Sequence, residues 1–411
     1  MNKNYLILLS FILLVFVFAC DSTTPVSVNL IVSNTAEWNA ALLLIKNGGD
    51  GKTYTINVSG DVAVPGSTEN TFGNVKDLYV TLKGDGKLYL TSRGNLIRVS
   101  GKQTLCIDSA DLILEGLEEE KNGSELNNYI ATIWVDRSGF DPAKLELRRG
   151  TIRGNHNTDT ANFYVGGGVY VGGIFTMSGG SIVENYCRSA GGVMVGHFGE
   201  FTISGGYISN NRGIYGGGIY AYNTFTMTGG TINGNGNGDG YGIEGVDGGG
   251  ITIQDTTNRV QFLISGGTIR DNVANNGSGV YIHSGILKMT GGLIHGNSGK
   301  TSGGGVSVNS TGTFEMSGGT ISGNSTLSGG GVSISPGGKF SKKKGTIYGN
   351  VVDANNRNFA SNTNVWAGHT VYYSRTSNDC YRNTTLTEND SISTEDELPA
   401  SGEEKNGWIG R

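Results

Sequence analysis

The sequence predicts an all-β fold: a single-stranded right-handed parallel β-helix with three short strands per coil and an N-terminal capping helix. Three observations lead to this prediction. The pattern Gly-x-Ile-x-x-Asn recurs eight times between residues 150 and 350. Glycine supplies 70 of the 411 residues, whereas proline supplies only five. Short segments of alternating apolar residues follow one another between glycine turns, and none of them shows the sustained 3.6-residue period of a helical repeat.

The overall composition separates this chain from two other classes of protein. Hydrophobic residues make up 36% of the chain and charged residues 16%, which is too apolar and too weakly charged for a disordered glycine-rich linker. The formal net charge is -5. A nucleic-acid-binding protein needs a basic surface to displace counterions from phosphates, so we expect no nucleic-acid partner.

Residues 1–19 predict a signal peptide. A short segment with Lys3 is followed by an apolar stretch, which is too short to span a bilayer comfortably. The stretch ends at Ala19-Cys20, and a polar segment follows at once. This junction resembles a bacterial lipobox, which implies that Cys20 is lipidated, that residues 20–34 form a tether, and that the chain is anchored to the cell envelope through membrane lipid. The alternative is an ordinary signal peptide cleaved nearby, with Cys20 incidental.

Residues 35–144 predict a capping helix followed by irregular coils. Trp38, Ala41, Leu42 and Ile45 recur at helical spacing and share one apolar face. Asn34 or Thr35 is the expected N-cap, and Gly48-Gly49 is expected to end the helix. Degenerate strand segments then follow: TYTINV, LYVTLKG, KLYLTS, LIRVS, QTLCID, LILEG and ATIWVD.

Residues 145–375 contain the regular repeats. Each unit of about 25 residues combines an FTMSGG-like, a TI-x-GN-like and a GGGVYV-like segment, and such a unit buries its apolar face only by stacking on copies of itself. Parallel stacking then gives a β-helix, which we expect to be right-handed and to have roughly a dozen coils over about 58 Å. The inward side chains of one coil are expected to be Val169, Val171, Phe175, Met177 and Ile182.

The asparagine that closes each Gly-x-Ile-x-x-Asn pattern predicts a polar ladder. Asparagine tolerates left-handed backbone, and stacked amides hydrogen-bond from coil to coil. We expect this ladder to be structural, with the members Asn155, Asn185, Asn211, Asn235, Asn272, Asn297, Asn324 and Asn350.

The repeats resemble those of the chlamydial polymorphic outer-membrane proteins and of the spirochaete GGTISGN-repeat lipoproteins. The resemblance covers about residues 145–350, although the FxxN tetrapeptide of the chlamydial repeats is not repeated here. It implies a β-helix rod on the outer membrane or cell surface with an adhesin-like role, whose partner is a host protein or a glycan. A purely structural role in the envelope is a second possibility.

Outward positions of the GGGVYV-like strands predict a binding surface. Tyr170, Tyr220 and Tyr281 fall between two inward residues, as do Met194, Thr252, Ser307, Ser333 and Tyr372 in other coils. Exposed tyrosines on a flat sheet suit stacking against sugar rings or a protein partner. The alternative is an aromatic ladder that only stabilises the sheet.

One irregular loop, residues 236–250, contains Asp239, Glu244 and Asp247. Three carboxylates in a glycine-rich loop are candidate oxygen ligands for Ca²⁺. The alternative is a solvated loop, and no other cofactor is indicated.

An enzymatic role is the remaining alternative, because many β-helix proteins cleave polysaccharides as lyases or glycoside hydrolases. Glycosidases need two carboxylates at a set separation. The nine Asp and Glu residues within 151–350 do not align in one column on neighbouring coils, which favours binding over catalysis. Cys106 and Cys187 are expected to be small core residues, and the polar, acidic residues 376–411 to form a loose or disordered tail.

Overall fold

In a computed structural model the chain folds as a right-handed parallel β-helix of about 11 turns, close to the dozen coils predicted. The structure describes residues 27–118, 127–138, 141–158, 165–236, 247–255, 261–348, 357–361, 371–373, 380–382, 404–405 and 408–410. At about 4.8 Å per coil, 11 turns correspond to a rod of roughly 53 Å.

Each regular coil has three faces, and each face pairs in parallel with the same face of the next coil. Face one contains the FTMSGG-like segments, face two the TI-x-GN-like segments and face three the GGGVYV-like segments. The strands of faces one and two are Ser27–Val32, Thr53–Val58, Asp61–Val64, Leu78–Gly84, Lys87–Leu90, Gln103–Glu115, Lys144–Arg153, Ile174–Val183, Glu200–Ser209, Phe225–Met227, Thr231–Asn233, Gln261–Ile264, Thr268–Arg270 and Lys339–Ile347. The strands of face three are Ile97–Val99, Ile133–Val135, Val169–Val171, Val193–Val195, Ile219–Ala221, Ile251–Gln254, Val332–Ile334 and Val371–Tyr373.

The division into three separate strands per coil is less sharp than predicted. Faces one and two form one bent strand in several coils, as in Ile174–Val183, because the glycine pair bends the chain without ending the ladder. Gly180 takes a φ of +71° at this bend, a conformation that glycine adopts without steric cost. Val280–His295 and Val306–Ser322 run through all three faces.

Short strands lie between face two and face three or close the ends. Those after the face-two asparagines are His156–Asn157, Tyr186–Cys187, Val273–Asn276, Ser298–Ser302, Ser325–Thr326 and Phe359–Ala360. Arg137–Ser138 and Asp141–Pro142 form an antiparallel pair.

The core consists of continuous columns of like side chains along the rod axis. Phe175, Phe201 and Phe225 occupy one position in three successive coils and are fully buried. The ring centroids of Phe175 and Phe201 lie 4.6 Å apart, so the rings stack at the coil spacing. The five predicted inward residues of this coil, Val169 and Val171 included, all belong to the core.

The capping helix spans Thr35–Lys46 and confirms the predicted apolar face, because Trp38, Ala41, Leu42 and Ile45 are its buried residues. Asn34 is the N-cap, and its side-chain Oδ1 accepts a 3.0 Å hydrogen bond from the backbone N–H of Glu37. The helix covers the end of the core, where the first coil would otherwise expose apolar side chains.

Two predicted terminal segments need correction. Ser27–Val32 pairs in parallel with Thr53–Val58 and belongs to the first coil, so the predicted tether of residues 20–34 was too long. The reason is its alternation, which buries Leu30 and Val32. In the predicted tail, Cys380–Arg382, Glu404–Lys405 and Trp408–Gly410 form short strands, and the first of them pairs antiparallel with Val371–Tyr373.

The asparagine column runs along the edge between face two and the following turn. Each member donates its backbone N–H to the Oδ1 of the next asparagine, as Asn211 does to Asn235 at 3.0 Å. Its amide Nδ2 also donates to a carbonyl of the preceding coil, as Asn235 does to Ile208 at 2.8 Å. Members from Asn155 to Asn324 are at most 1% exposed.

Asn358 occupies the position that follows Asn324, where the sequence pattern predicted Asn350. Its Oδ1 accepts from the Asn324 backbone N–H at 3.0 Å and from the Asn324 Nδ2 at 3.0 Å. Asn350 lies outside the described residues. The column also starts one coil earlier than predicted, because the Nδ2 of Asn128 donates to the Oδ1 of Asn155 at 2.9 Å.

Neither Cys106, in the irregular coils, nor Cys187, in the regular repeats, forms a disulfide. Both are small buried residues, as expected, although neither joins the central columns of the core. Cys106 lies on the outer side of its strand, between the inward residues Leu105 and Ile107, and burial raises the pKa of its thiol. The Cys187 thiol donates to the carbonyl oxygen of Val165 at 2.9 Å.

Candidate ligand pocket on face three

The outward positions of face three form the column that the sequence predicted. Strand register places the predicted residues one above another, with Trp134 before them: Trp134, Tyr170, Met194, Tyr220, Thr252, Tyr281, Ser307, Ser333 and Tyr372. Tyr220 and Tyr281 are therefore two coils apart, or roughly 10 Å along the rod.

The expectation that these tyrosines lie exposed on a flat sheet was wrong. Tyr220 is only 5% exposed and Met194 is fully buried. Several of the described segments that precede face-three strands fold back over the outward side chains. Gly216 shows how closely they approach, since a Cβ atom added there would lie 3.1 Å from the Tyr220 Cβ and 2.5 Å from the Ile219 carbonyl oxygen.

These covering segments pair with one another as well. Bridges connect Gly166 to Ala190 and Ala190 to Gly216, which adds a short parallel ladder outside face three. Ala190, Met194 and Tyr220 form a second, small hydrophobic cluster between the two layers. The outward side chains of face three therefore pack between the sheet and the covering segments. They contact solvent where the covering segments do not reach.

Tyr170 belongs to an aromatic stack and not to an open surface. Its ring lies 3.8 Å from that of Trp134, centroid to centroid, at an interplanar angle of 19°. The Arg98 guanidinium lies 5.8 Å from the Trp134 ring and forms an ion pair with Asp136. This part of the column has the sheet-stabilising arrangement that was the alternative to binding.

Tyr220 and Tyr281, by contrast, line a cavity of about 460 Å³. Its floor consists of two rows of outward side chains on three successive coils. The first row is Tyr220, Thr252 and Tyr281, and the second is Tyr222, Gln254 and His283. Tyr215 and Asp247, from two covering segments, complete the described wall.

Hydrogen bonds fix the polar groups of this pocket. The Tyr222 hydroxyl donates to the Tyr220 hydroxyl at 2.8 Å, and the Tyr220 hydroxyl donates to the Gln254 Oε1. The Thr252 hydroxyl donates to the backbone carbonyl of Asp247 at 3.2 Å, which ties the covering segment to the floor.

The Asp247 carboxylate is held by a relay from two further coils. Asn276 donates its Nδ2 to the Asp247 Oδ1 at 2.8 Å, and the Ser302 hydroxyl donates to the Asn276 Oδ1 at 2.7 Å. Burial raises the pKa of Asp247, and the Asn276 hydrogen bond and the nearby His283 oppose that shift. Burial together with the Asp247 charge raises the pKa of Tyr281 to about 12, so its phenol stays neutral at physiological pH.

The predicted calcium site receives no support from the described part of the loop. Asp239 and Glu244 lie outside the described residues. Asp247 uses its Oδ1 as an acceptor for Asn276. Within the ranges that the structure describes, no group of three or more His, Cys, Asp or Glu side chains is arranged to hold a metal ion.

Sequence reasoning did not assign four of the eight described lining residues to a binding surface or a candidate site: Tyr215, Tyr222, Gln254 and His283. Tyr222, Gln254 and His283 each follow the recognised outward residue by two positions, so the period-two alternation beyond the predicted strand ends was the signal. Tyr215 and Asp247 lie on covering segments. No local sequence pattern predicts that these segments fold over face three.

Cys20, the predicted lipidation site, lies outside the described residues. Across the described ranges, no helix has the length and apolarity that crossing a bilayer requires. In comparisons with known proteins, no family, no curated protein and no solved structure matches this chain.

Proposed function

We propose that this protein is a lipid-anchored rod of the bacterial cell envelope that binds a glycan through the face-three pocket, in an adhesin-like role. The observation that carries the proposal is the convergence of four tyrosines with Thr252, Gln254, Asp247 and His283 around one cavity of about 460 Å³. Such a cavity has the size and the mixed aromatic and polar lining of a small-ligand site.

Tyrosine suits this role because its ring stacks on the apolar face of a sugar while its hydroxyl exchanges hydrogen bonds. The Tyr222–Tyr220–Gln254 chain is fixed before any ligand arrives. Such preorganisation lowers the entropic cost of binding. Carbohydrate presented by a host or a neighbouring cell is therefore the partner that we favour over a flat protein surface.

The pocket favours binding over glycoside hydrolysis. Of the described residues that line it, Asp247 is the only carboxylate, whereas the usual glycosidase mechanism uses a pair. The neutral Tyr281 phenol, with a pKa of about 12, is also a poor general base.

The test is a panel of acidic, neutral and amino-containing oligosaccharides, applied to the full chain and to Tyr281→Ser. Serine stands at the same position in the next two coils, Ser307 and Ser333, so the substitution suits the fold. Tyr207→Ser is the matched control, because Tyr207 is 55% exposed on face two and its neighbours in register are Ser181 and Thr231.

We expect at least one glycan to be retained by the wild type and by Tyr207→Ser, and to bind about tenfold more weakly to Tyr281→Ser. Equal retention by all three proteins would remove the pocket from the proposal. Release of cleaved fragments from a retained glycan would replace the binding role with an enzymatic one.

Two observations support lipid anchoring: the lipobox-like junction at Cys20 and the short segment between Cys20 and the first strand. Only residues 21–26 separate Cys20 from the first strand, Ser27–Val32. Six residues extend over at most roughly 20 Å, which would hold the capped end of the rod near the membrane. Cys20→Ala should move the protein from the membrane fraction to the soluble fraction, whereas Ser22→Ala should not. A Cys20→Ala protein that stays membrane-bound would contradict lipid anchoring.

A further inference from the structure

The pocket is lined by tyrosine rings and by one described carboxylate, and this combination indicates a class of ligand. Tyr220 and Tyr222 lie on the floor of the pocket, and Tyr215 lies beside them on the wall. The ring centroids of Tyr220 and Tyr222 lie 4.7 Å apart with planes tilted by 42°, and those of Tyr215 and Tyr220 lie 6.0 Å apart. Tyr281 lies two coils further along the floor. Such rings present electron-rich faces, which attract cations.

Asp247 supplies the one carboxylate among the described lining residues, and the nearby His283 is the one basic side chain among them. No lysine or arginine is among them. The Asn276 amide holds its Oδ1, and no described residue donates a hydrogen bond to its Oδ2. A half-buried carboxylate in this setting is costly to the folded protein, because burial disfavours the charged form. A ligand that brings a positive charge would remove that cost.

We propose that the face-three pocket binds an organic ammonium group, a primary or quaternary amine carried by the ligand, between the tyrosine rings and the Asp247 carboxylate. This inference rests on the proposed function in one respect, that the same pocket is the ligand site. The hydrogen bonds from Ser302 through Asn276 hold the Asp247 carboxylate in place. Neutral sugars would use the same rings but would leave the charge of Asp247 uncompensated.

The test compares two probes of nearly the same shape by calorimetric titration of the full chain. Choline carries a quaternary ammonium, and 3,3-dimethylbutan-1-ol replaces that nitrogen by a neutral carbon. We expect choline to bind at least about tenfold more tightly than the alcohol. Asp247→Asn should remove most of this preference, Tyr281→Ser should weaken choline binding, and Tyr207→Ser should leave it unchanged.

Asp247→Asn keeps the Oδ1 acceptor for Asn276, so the variant is expected to fold, and its thermal transition serves as the check. A second comparison uses glucosamine oligomers against N-acetylglucosamine oligomers of the same length, which differ in charge at every residue. Preference for the charged member of both pairs supports the inference.

Equal binding of both members of each pair, or binding of choline that survives Asp247→Asn, would overturn the ammonium inference and leave the pocket as a ligand site. The inference would also be overturned if neither choline nor the glucosamine oligomer bound. The glycan panel then decides the proposed function separately, because neutral and acidic glycans in that panel do not depend on an ammonium group.

Discussion

The asparagine column gives the sharpest test of how the coils are held together, and Asn235→Ala is the most informative substitution in it. The Asn235 Oδ1 accepts from the Asn211 backbone N–H at 3.0 Å and from the Asn211 Nδ2 at 3.1 Å. Its own Nδ2 donates to the Ile208 carbonyl at 2.8 Å and to the Asn272 Oδ1 at 3.0 Å. Alanine removes all four of these bonds.

The size of the destabilisation depends on which buried polar groups lose their hydrogen-bond partners. The Asn211 backbone N–H and one hydrogen of its amide lose their acceptor, whereas the Asn272 Oδ1 still accepts from the backbone N–H of residue 235. Each buried polar group without a partner costs about 1–3 kcal/mol, so Asn235→Ala should destabilise the coil by about 2–6 kcal/mol. Even 2 kcal/mol corresponds to roughly thirtyfold in the local opening equilibrium.

Hydrogen exchange measured by mass spectrometry is the suitable assay, because a solenoid opens coil by coil and a single unfolding free energy averages over this behaviour. Peptides that contain Asn211 and Asn272 should exchange at least about thirtyfold faster in Asn235→Ala. Asn233→Ala is the matched control, since Asn233 ends the strand Thr231–Asn233 two residues before Asn235 and its side chain is half-buried. Similar exchange in the two variants would refute the reasoning.

Three further predictions concern the core, the bends and the pocket. Phe201→Ala should lower the free energy of unfolding by about 3–5 kcal/mol in urea titrations, because it leaves a cavity between Phe175 and Phe225; a loss below about 1 kcal/mol would contradict the stacked core. Gly206→Ala should cost more than Gly60→Ala in the same titrations, since both glycines have positive φ but only at Gly206 would a Cβ meet backbone oxygens at 2.6 Å; equal costs would contradict this packing. Asp247→Asn should raise the melting temperature at pH 7. Burial raises the folded-state pKa of Asp247 above its unfolded value, so its favourable contribution is present at low pH and lost as the pH rises through the raised pKa. The gain should shrink below about pH 4, and an unchanged gain there would exclude the carboxylate charge as its cause.

The repeated motif was sufficient to predict the register of the coils but not the layer that covers face three. Phe175, Phe201 and Phe225 stack as expected because identical positions in coils of near-equal length fall one above another. The outward column containing Tyr220 was predicted for the same reason. Its burial was not, because the fold-back of the covering segments depends on contacts such as that between Gly216 and Tyr220.

The same limit explains the end of the asparagine column. Asn350 satisfies the local Gly-x-Ile-x-x-Asn pattern, yet Asn358 bonds to Asn324. The path of the chain decides which asparagine stacks on the previous one. A pattern of six residues does not predict that path. For the pocket, the alternation was sufficient to predict Tyr220 and Tyr281, whereas Asp247 was predicted only as a metal ligand.

A crystal structure of the full chain with bound choline would test most directly whether the face-three pocket is the ligand site. We expect density for the ammonium group within about 6 Å of the Tyr220, Tyr222 and Tyr281 ring centroids and beside the Asp247 carboxylate. Choline bound elsewhere on the rod, with this pocket filled only by solvent, would contradict this expectation.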